Sequence, residues 1–135
     1  MTELALPILI AVVAGIAVAL QGQFMGTMDR TAGTITSVFI TYGVGGAIAA
    51  TIWLARGGPL QNVRQVPWYA WTAGALGLVI VGGIGYAAPR LGLARTLVIT
   101  IAAQLLAALL IDRTLDAPRA IGFALTVAGV WLIVR

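Results

Sequence analysis

The chain has no histidine, no cysteine and no lysine, and its only serine is Ser37. Without histidine or cysteine it cannot build the usual zinc, haem or iron–sulfur centres, nor a Ser-His or Cys-His nucleophile pair. Enzyme activity, a metal and a cofactor are therefore not expected. Acids are scarce as well: Glu3, Asp29, Asp112 and Asp116. The eight basic residues are all arginines, standing singly or in pairs between apolar runs. Nucleic-acid binding calls for a clustered basic face, so no nucleic-acid partner is expected either. With no thiol to protect or oxidise, the chain says nothing about redox compartment.

What is abundant is apolar surface. Of 135 residues, 61% are hydrophobic and 9% charged, and the mean hydropathy is +1.04. A soluble domain of this size would have to leave most of that side chain facing water. The chain is read as an integral membrane protein whose first partner is the lipid bilayer. A helix of roughly 20 apolar residues spans the hydrocarbon layer, so five helices nearly consume the chain. The expected fold is all-α, a single transmembrane domain over 1–135, with helices at 4–24, 34–55, 68–88, 92–111 and 119–134.

Helix one runs uncharged from Leu4 to about Phe24. It begins with Glu3 rather than a basic segment and is too long for a signal-peptide core, so it is expected to remain. Ala11, Gly15, Ala19, Gly22 and Gly26 share one face and form a seam for close helix packing. Gln21 and Gln23 flank that seam; they either reach water at the interface or line a cavity. Thr27 to Gly33 reads as a polar turn. In helix two, Thr34, Ser37, Thr41 and Gly45 share a face, which reads as packing, since such hydroxyls bond their own i−4 carbonyl. Gly57-Gly58-Pro59 stops that helix. Pro67 and the Trp68-Tyr69-Ala70-Trp71 cluster mark re-entry through the interface. Helix three carries Gly82, Gly83 and Gly85, read as packing with some hinge freedom, and Pro89 ends it. Helix five is short, about 22 Å over its uncharged part, and carries a small seam with Gly122 and Gly129.

Helix four organises the polar pattern. Thr96, Thr100, Gln104, Ala108 and Asp112 stand four apart, and such residues stack on nearly one face, drifting about 40° per step. Arg95 lies nine residues from Gln104, about 180° away on an ideal helix. If Gln104 faces a cavity, Arg95 instead snorkels to headgroups.

Five spans put the termini on opposite sides. Arg56, Arg64, Arg113 and Arg119 then fall on one side, and Arg30, Arg90, Arg95 and Arg135 on the other. An arginine excess normally fixes orientation, and here there is none. The balance is either chance or the mark of a chain that inserts both ways and pairs with an inverted copy. No internal repeat supplies the inverted half that transporter folds commonly place around a midplane site.

Pro89-Arg90-Leu91-Gly92-Leu93-Ala94, the apolar helix with Gln104, then Asp112, Arg119-Ala120-Ile121-Gly122 and Ala128-Gly129-Val130 resemble part of a drug/metabolite transporter half. With Leu20-Gln21 and the run Val66 to Gly74, nearly the whole chain is similar to the short five-helix family of inner-membrane exporters labelled YdcZ-like. The resemblance implies a multi-pass protein of the bacterial inner membrane, related to small multidrug exporters that work as antiparallel dimers. Those exporters carry a proton-exchanging carboxylate in helix one. This chain offers no acid between Glu3 and Asp29, and Glu3 is expected to be solvated.

The expected activity is secondary transport of a small organic solute by alternating access between two inverted protomers, the partner being a second copy or a homologous chain. Gln104, Thr100, Thr96, Gln21 and Gln23 are the candidate substrate contacts, with aromatic walls from Tyr42, Trp71 and Tyr86. Arg95 is a candidate anion contact. The alternative is a passive channel or a non-transporting assembly subunit.

Overall fold

The computed structural model describes residues 2–58, 60, 63–113 and 116–135, with side chains from Leu4 onward. Among them the secondary structure is helical throughout: α1 (Thr2–Ala32), α2 (Thr34–Ala55), α3 (Ala73–Leu91), α4 (Leu93–Asp112) and α5 (Ala117–Val134), with short 3-10 turns at Val63–Gln65 and Trp68–Thr72. Five spans are long and apolar enough to cross a membrane. Large apolar side chains stand outward along all of them; Ile35 is 87% exposed and Ile111 79%. Such surface is stable against hydrocarbon, where a helix also satisfies its own backbone.

The first junction differs from the expected turn over Thr27 to Gly33. α1 runs on to Ala32 and only Gly33 breaks it, at φ +82. Polar side chains mark where a helix leaves hydrocarbon, not where its backbone turns. From Thr27 to Ala32 there is neither proline nor glycine to force a break. Thr27 and Thr31 donate to the carbonyls of Gln23 (3.1 Å) and Thr27 (3.2 Å), which suits helix. The Thr34 hydroxyl donates to the Asp29 carboxylate across the corner. Glu3, by contrast, lies outside the described side chains.

Pro89 likewise does not end α3, which continues to Leu91 and breaks at Gly92, φ +89. A proline forfeits one backbone bond, whereas a sharp reversal needs a conformation that glycine adopts without strain. The two corners are built alike. Gly33 donates to the Asp29 carbonyl and Gly92 to that of Ala88, each at 3.0 Å; the glycine carbonyls accept from Ser37 (3.0 Å) and Thr96 (3.1 Å). Both of those hydroxyl residues are buried, Ser37 at 0% and Thr96 at 4% exposure. A one-residue corner followed by a buried hydroxyl thus occurs twice in a chain with no visible sequence repeat.

Beyond α2, Gly57 and Gly58 also adopt positive φ, and the Trp53 ring packs against Gly58; Pro59 lies outside the described residues. Helix three begins as the 3-10 turn Trp68–Thr72 before becoming α-helical. α5 is capped by Asp116, whose carboxylate accepts from the Arg119 backbone N–H at 2.9 Å and pairs with its guanidinium at 3.2 Å. At the far end, the Arg135 guanidinium stacks 4.8 Å from the Trp131 ring centre, a pairing suited to the membrane interface.

The chain divides into two compact units, Gln21–Tyr86 on one hand and Met1–Leu20 with Ala87–Arg135 on the other. In the Gln21–Tyr86 unit, Gly22, Met25, Gly26 and Asp29 form the buried stripe of α1. Met25 is 1% exposed. It sits against Gly85 of α3 so closely that a Cβ there would stand 2.9 Å from its Cε, and 3.9 Å from the Ser37 hydroxyl of α2. Ser37 donates to the Thr34 carbonyl at 2.9 Å, so it enters this node with its proton bonded. In the other unit α4 and α5 run antiparallel, with Leu105, Ala108, Leu109 and Asp112 facing Arg119, Gly122, Phe123 and Thr126 across a cleft of about 550 Å³.

The three-helix node yields a stability prediction. Gly85→Val overpacks Met25 and should cost about 1–3 kcal/mol. Gly83→Ala, whose Cβ meets nothing within 4 Å, should cost nothing or add stability. Thermal unfolding in detergent measures both; equal midpoints would contradict the node.

Candidate functional site

The residues proposed for solute contact are divided between the two units. Gln21, Gln23, Tyr42, Trp71 and Tyr86 belong to the Gln21–Tyr86 unit, and Arg95, Thr96, Thr100 and Gln104 to the other. In the first set, Gln21 and Tyr42 come together. With Thr41, Gly45, Gly46, Ala49 and Val81 they line an open-sided groove of about 380 Å³. α1 supplies Gln21, α2 supplies five residues from Thr41 to Ala49, and α3 supplies Val81. The α2 residues 41, 42, 45, 46 and 49 recur at helical spacing and so form one face.

Tyr42 is positioned by Gly77 of α3: a Cβ there would run into the Tyr42 hydroxyl. Gly77 thereby lets the phenol hydroxyl approach the helix backbone. Gly45 and Gly46 are different, since a Cβ on either would meet nothing within 4 Å. The packing of this chain does not explain their lack of a side chain. Their open space is the floor of the groove.

Thr41 is the other anomaly. Many of the other threonine hydroxyls donate to a carbonyl one turn back, among them Thr51 to Ala47 (2.8 Å), Thr96 to Gly92 (3.0 Å), Thr100 to Thr96 (2.8 Å) and Thr126 to Gly122 (2.9 Å). The Thr41 hydroxyl is buried and makes no hydrogen bond. Leaving such a group unsatisfied costs about 1–3 kcal/mol. Sequence pattern placed Thr41 in a packing seam. The signal that marks it differently is local: it precedes Tyr42 and is followed at one turn by Gly45 and Gly46.

The helix-four ladder divides along its length. Thr96 is buried and Thr100 half-buried, and the protons of both are committed to their own helix. Ala108 and Asp112 line the α4–α5 cleft. Gln104 is exposed and lines neither this cleft nor the groove. It is the twelfth of the 20 residues of α4, about 17 Å from the helix start and so near the middle of a ~30 Å hydrocarbon layer.

Gln23 is exposed, as are Trp71 at 65% and Tyr86 at 54%. Arg95 is exposed in the first turn of α4. Of the glycines proposed for packing or hinge roles, Gly85 is tightly packed and a Cβ on Gly82 would stand 3.5 Å from Val38, while a Cβ on Gly83, Gly122 or Gly129 would meet nothing within 4 Å. α3 is continuous through Gly82–Gly85. Among the described residues no three His, Cys, Asp or Glu side chains gather in a metal-ligating group.

Among known proteins, no curated protein and no solved structure matches the chain. A family model does, described as "Putative inner membrane exporter, YdcZ", over residues 6–132. The match spans all five helices, and a transporter rather than an enzyme is what it points to. The chain therefore belongs to the YdcZ family of inner-membrane exporters, within the drug/metabolite transporter group.

Proposed function

We propose that the protein is a small secondary exporter of an organic solute, working by alternating access between two inverted protomers. The observation that carries this reading is Gln104. Its primary amide stands exposed on α4 near mid-membrane, where an amide without a hydrogen-bond partner costs roughly 2–7 kcal/mol. In a single chain that surface would face acyl chains. A second copy, or a solute held between two copies, removes the penalty.

The arginines support an inverted copy. All eight lie at helix ends or in loops: Arg30, Arg90 and Arg119 in terminal turns, Arg95 in the first turn of α4, Arg56, Arg113 and Arg135 at C-caps, and Arg64 in the 3-10 turn after α2. With five crossings they divide four and four, so neither orientation is favoured by the positive-inside rule. The partner is a second copy of this chain or a homologous one.

Within each protomer the solute site is the groove of Gln21, Thr41 and Tyr42. Gln104 is the polar group that α4 offers to a second copy or to a solute held against it. Thr96 and Thr100, with their protons donated along the helix, favour packing for the rest of that ladder and act toward a solute as acceptors only.

Two outcomes check this. A tag at the C-terminus should be labelled equally from both membrane faces; labelling from one face in every molecule would rule out a homodimer of this kind. In reconstituted vesicles, flux should saturate and follow an ion gradient, and Gln104→Leu should abolish it with expression unchanged. Non-saturating flux would mean a pore, and normal flux in Gln104→Leu would remove that residue from the site.

A further inference from the structure

We infer that the groove on α2 selects an uncharged solute with a flat face and hydrogen-bonding groups along one edge. This rests on reading the groove as the solute site and goes further, to the class of solute. The lining of Gln21, Thr41, Tyr42, Gly45, Gly46, Ala49 and Val81 contains no arginine, aspartate or glutamate. A charge brought there would lose its hydration with no opposite charge to meet it, and both poles of a zwitterion would suffer the same loss.

The polar groups that are present suit a neutral ligand. Gln21 offers an amide donor and acceptor, Tyr42 a phenol, and Thr41 a hydroxyl with no partner in the chain. In a helix, threonine divides between two χ1 rotamers, one of which bonds the carbonyl a turn back. Thr41 leaves that internal bond unmade while its oxygen is buried, so it meets a carbonyl, ether or hydroxyl oxygen of a solute only on turning about χ1 toward the groove.

The floor sets the shape. Gly45 and Gly46, with nothing within 4 Å of an added Cβ, and the methyl of Ala49 leave a smooth strip on which a planar ring or an extended chain can lie. The volume of about 380 Å³ falls at the small end of ligand pockets, about 300–1,000 Å³.

The cysteine-free chain allows a direct test in lipid vesicles, with Ala49→Cys providing the only thiol. Three methanethiosulfonates of similar size are compared: hydroxyethyl (neutral), trimethylammonioethyl (cationic) and sulfonatoethyl (anionic). Each transfers its alkylthio group to the thiolate and releases methanesulfinate. Ile48→Cys, on an exposed neighbour outside the groove lining, reports access through lipid at similar depth.

The neutral reagent should react at Ala49→Cys at least about tenfold faster than either charged one, the discrimination expected for a charge in a membrane interior. It should also react there faster than at Ile48→Cys. Adding Gly46→Leu, whose Cβ meets nothing within 4 Å and whose bulk enters the groove, should slow labelling at Ala49→Cys and leave Ile48→Cys unchanged. If the charged reagents keep pace and Gly46→Leu still blocks all three, the groove is a solute site but the uncharged class is wrong. If Gly46→Leu changes nothing, or Ala49→Cys reacts no faster than Ile48→Cys, the groove is not a solute site and both readings fall.

Discussion

Hydrocarbon cannot hydrogen-bond, and that constraint governs nearly every polar group in this protein. Helices satisfy the backbone, and hydroxyls on them are satisfied by the carbonyl one turn back. Thr51, Thr96, Thr100 and Thr126 all take that route, and Ser37 bonds the Thr34 carbonyl. Thr34 bonds the Asp29 carboxylate instead, and against this background two further groups are informative. Thr41 keeps a buried hydroxyl without a partner, and Gln104 holds an amide out from the middle of α4. Groups that hydrocarbon penalises and the chain does not satisfy are where a solute or a second protein surface has most to gain.

The same solvent explains how the units pack. Apolar side chains gain little by leaving lipid, so close approach of helices depends on small residues and shape. Gly85 admits Met25, and Gly77 admits Tyr42. The first contact draws α1 and α3 together around Ser37, and the second sets the phenol that borders the groove. Gly33 and Gly92 contribute differently, through backbone conformation, by turning the chain within one residue. The node and the groove thus belong to one packing arrangement, with Gly77 and Gly85 of α3 used up by packing and Gly45 and Gly46 of α2 left open.

Much of this was legible in the residues. Length, hydropathy and arginine spacing imply five helices, because spanning a bilayer is a strong constraint on composition. Gln21 and Tyr42 stood out as polar or aromatic side chains in apolar runs. The corners were harder. The polar stretch from Thr27 to Arg30 looks like a loop but continues α1, and Pro89 looks like a stop but lies inside α3. In both cases the break is set by backbone dihedrals that only Gly33 and Gly92 adopt easily, a signal one residue wide. Thr41 was hidden for another reason. Its spacing is that of a packing seam, and only atomic positions separate a hydroxyl that bonds its helix from one that does not. The repeated corner shares little more than a glycine and a hydroxyl residue four positions on, too little to register as a sequence repeat.

The reading as an exporter that works in inverted pairs joins these features: Gln104 exposed at mid-membrane, arginines balanced between the two sides, and a groove without charge. A cryo-EM structure of the protein in lipid nanodiscs tests that pairing most directly. The expected result is two copies related by a two-fold axis in the membrane plane, each Gln104 amide covered by protein or solute. Two copies pointing the same way, or a lone copy with Gln104 against acyl chains, would contradict it.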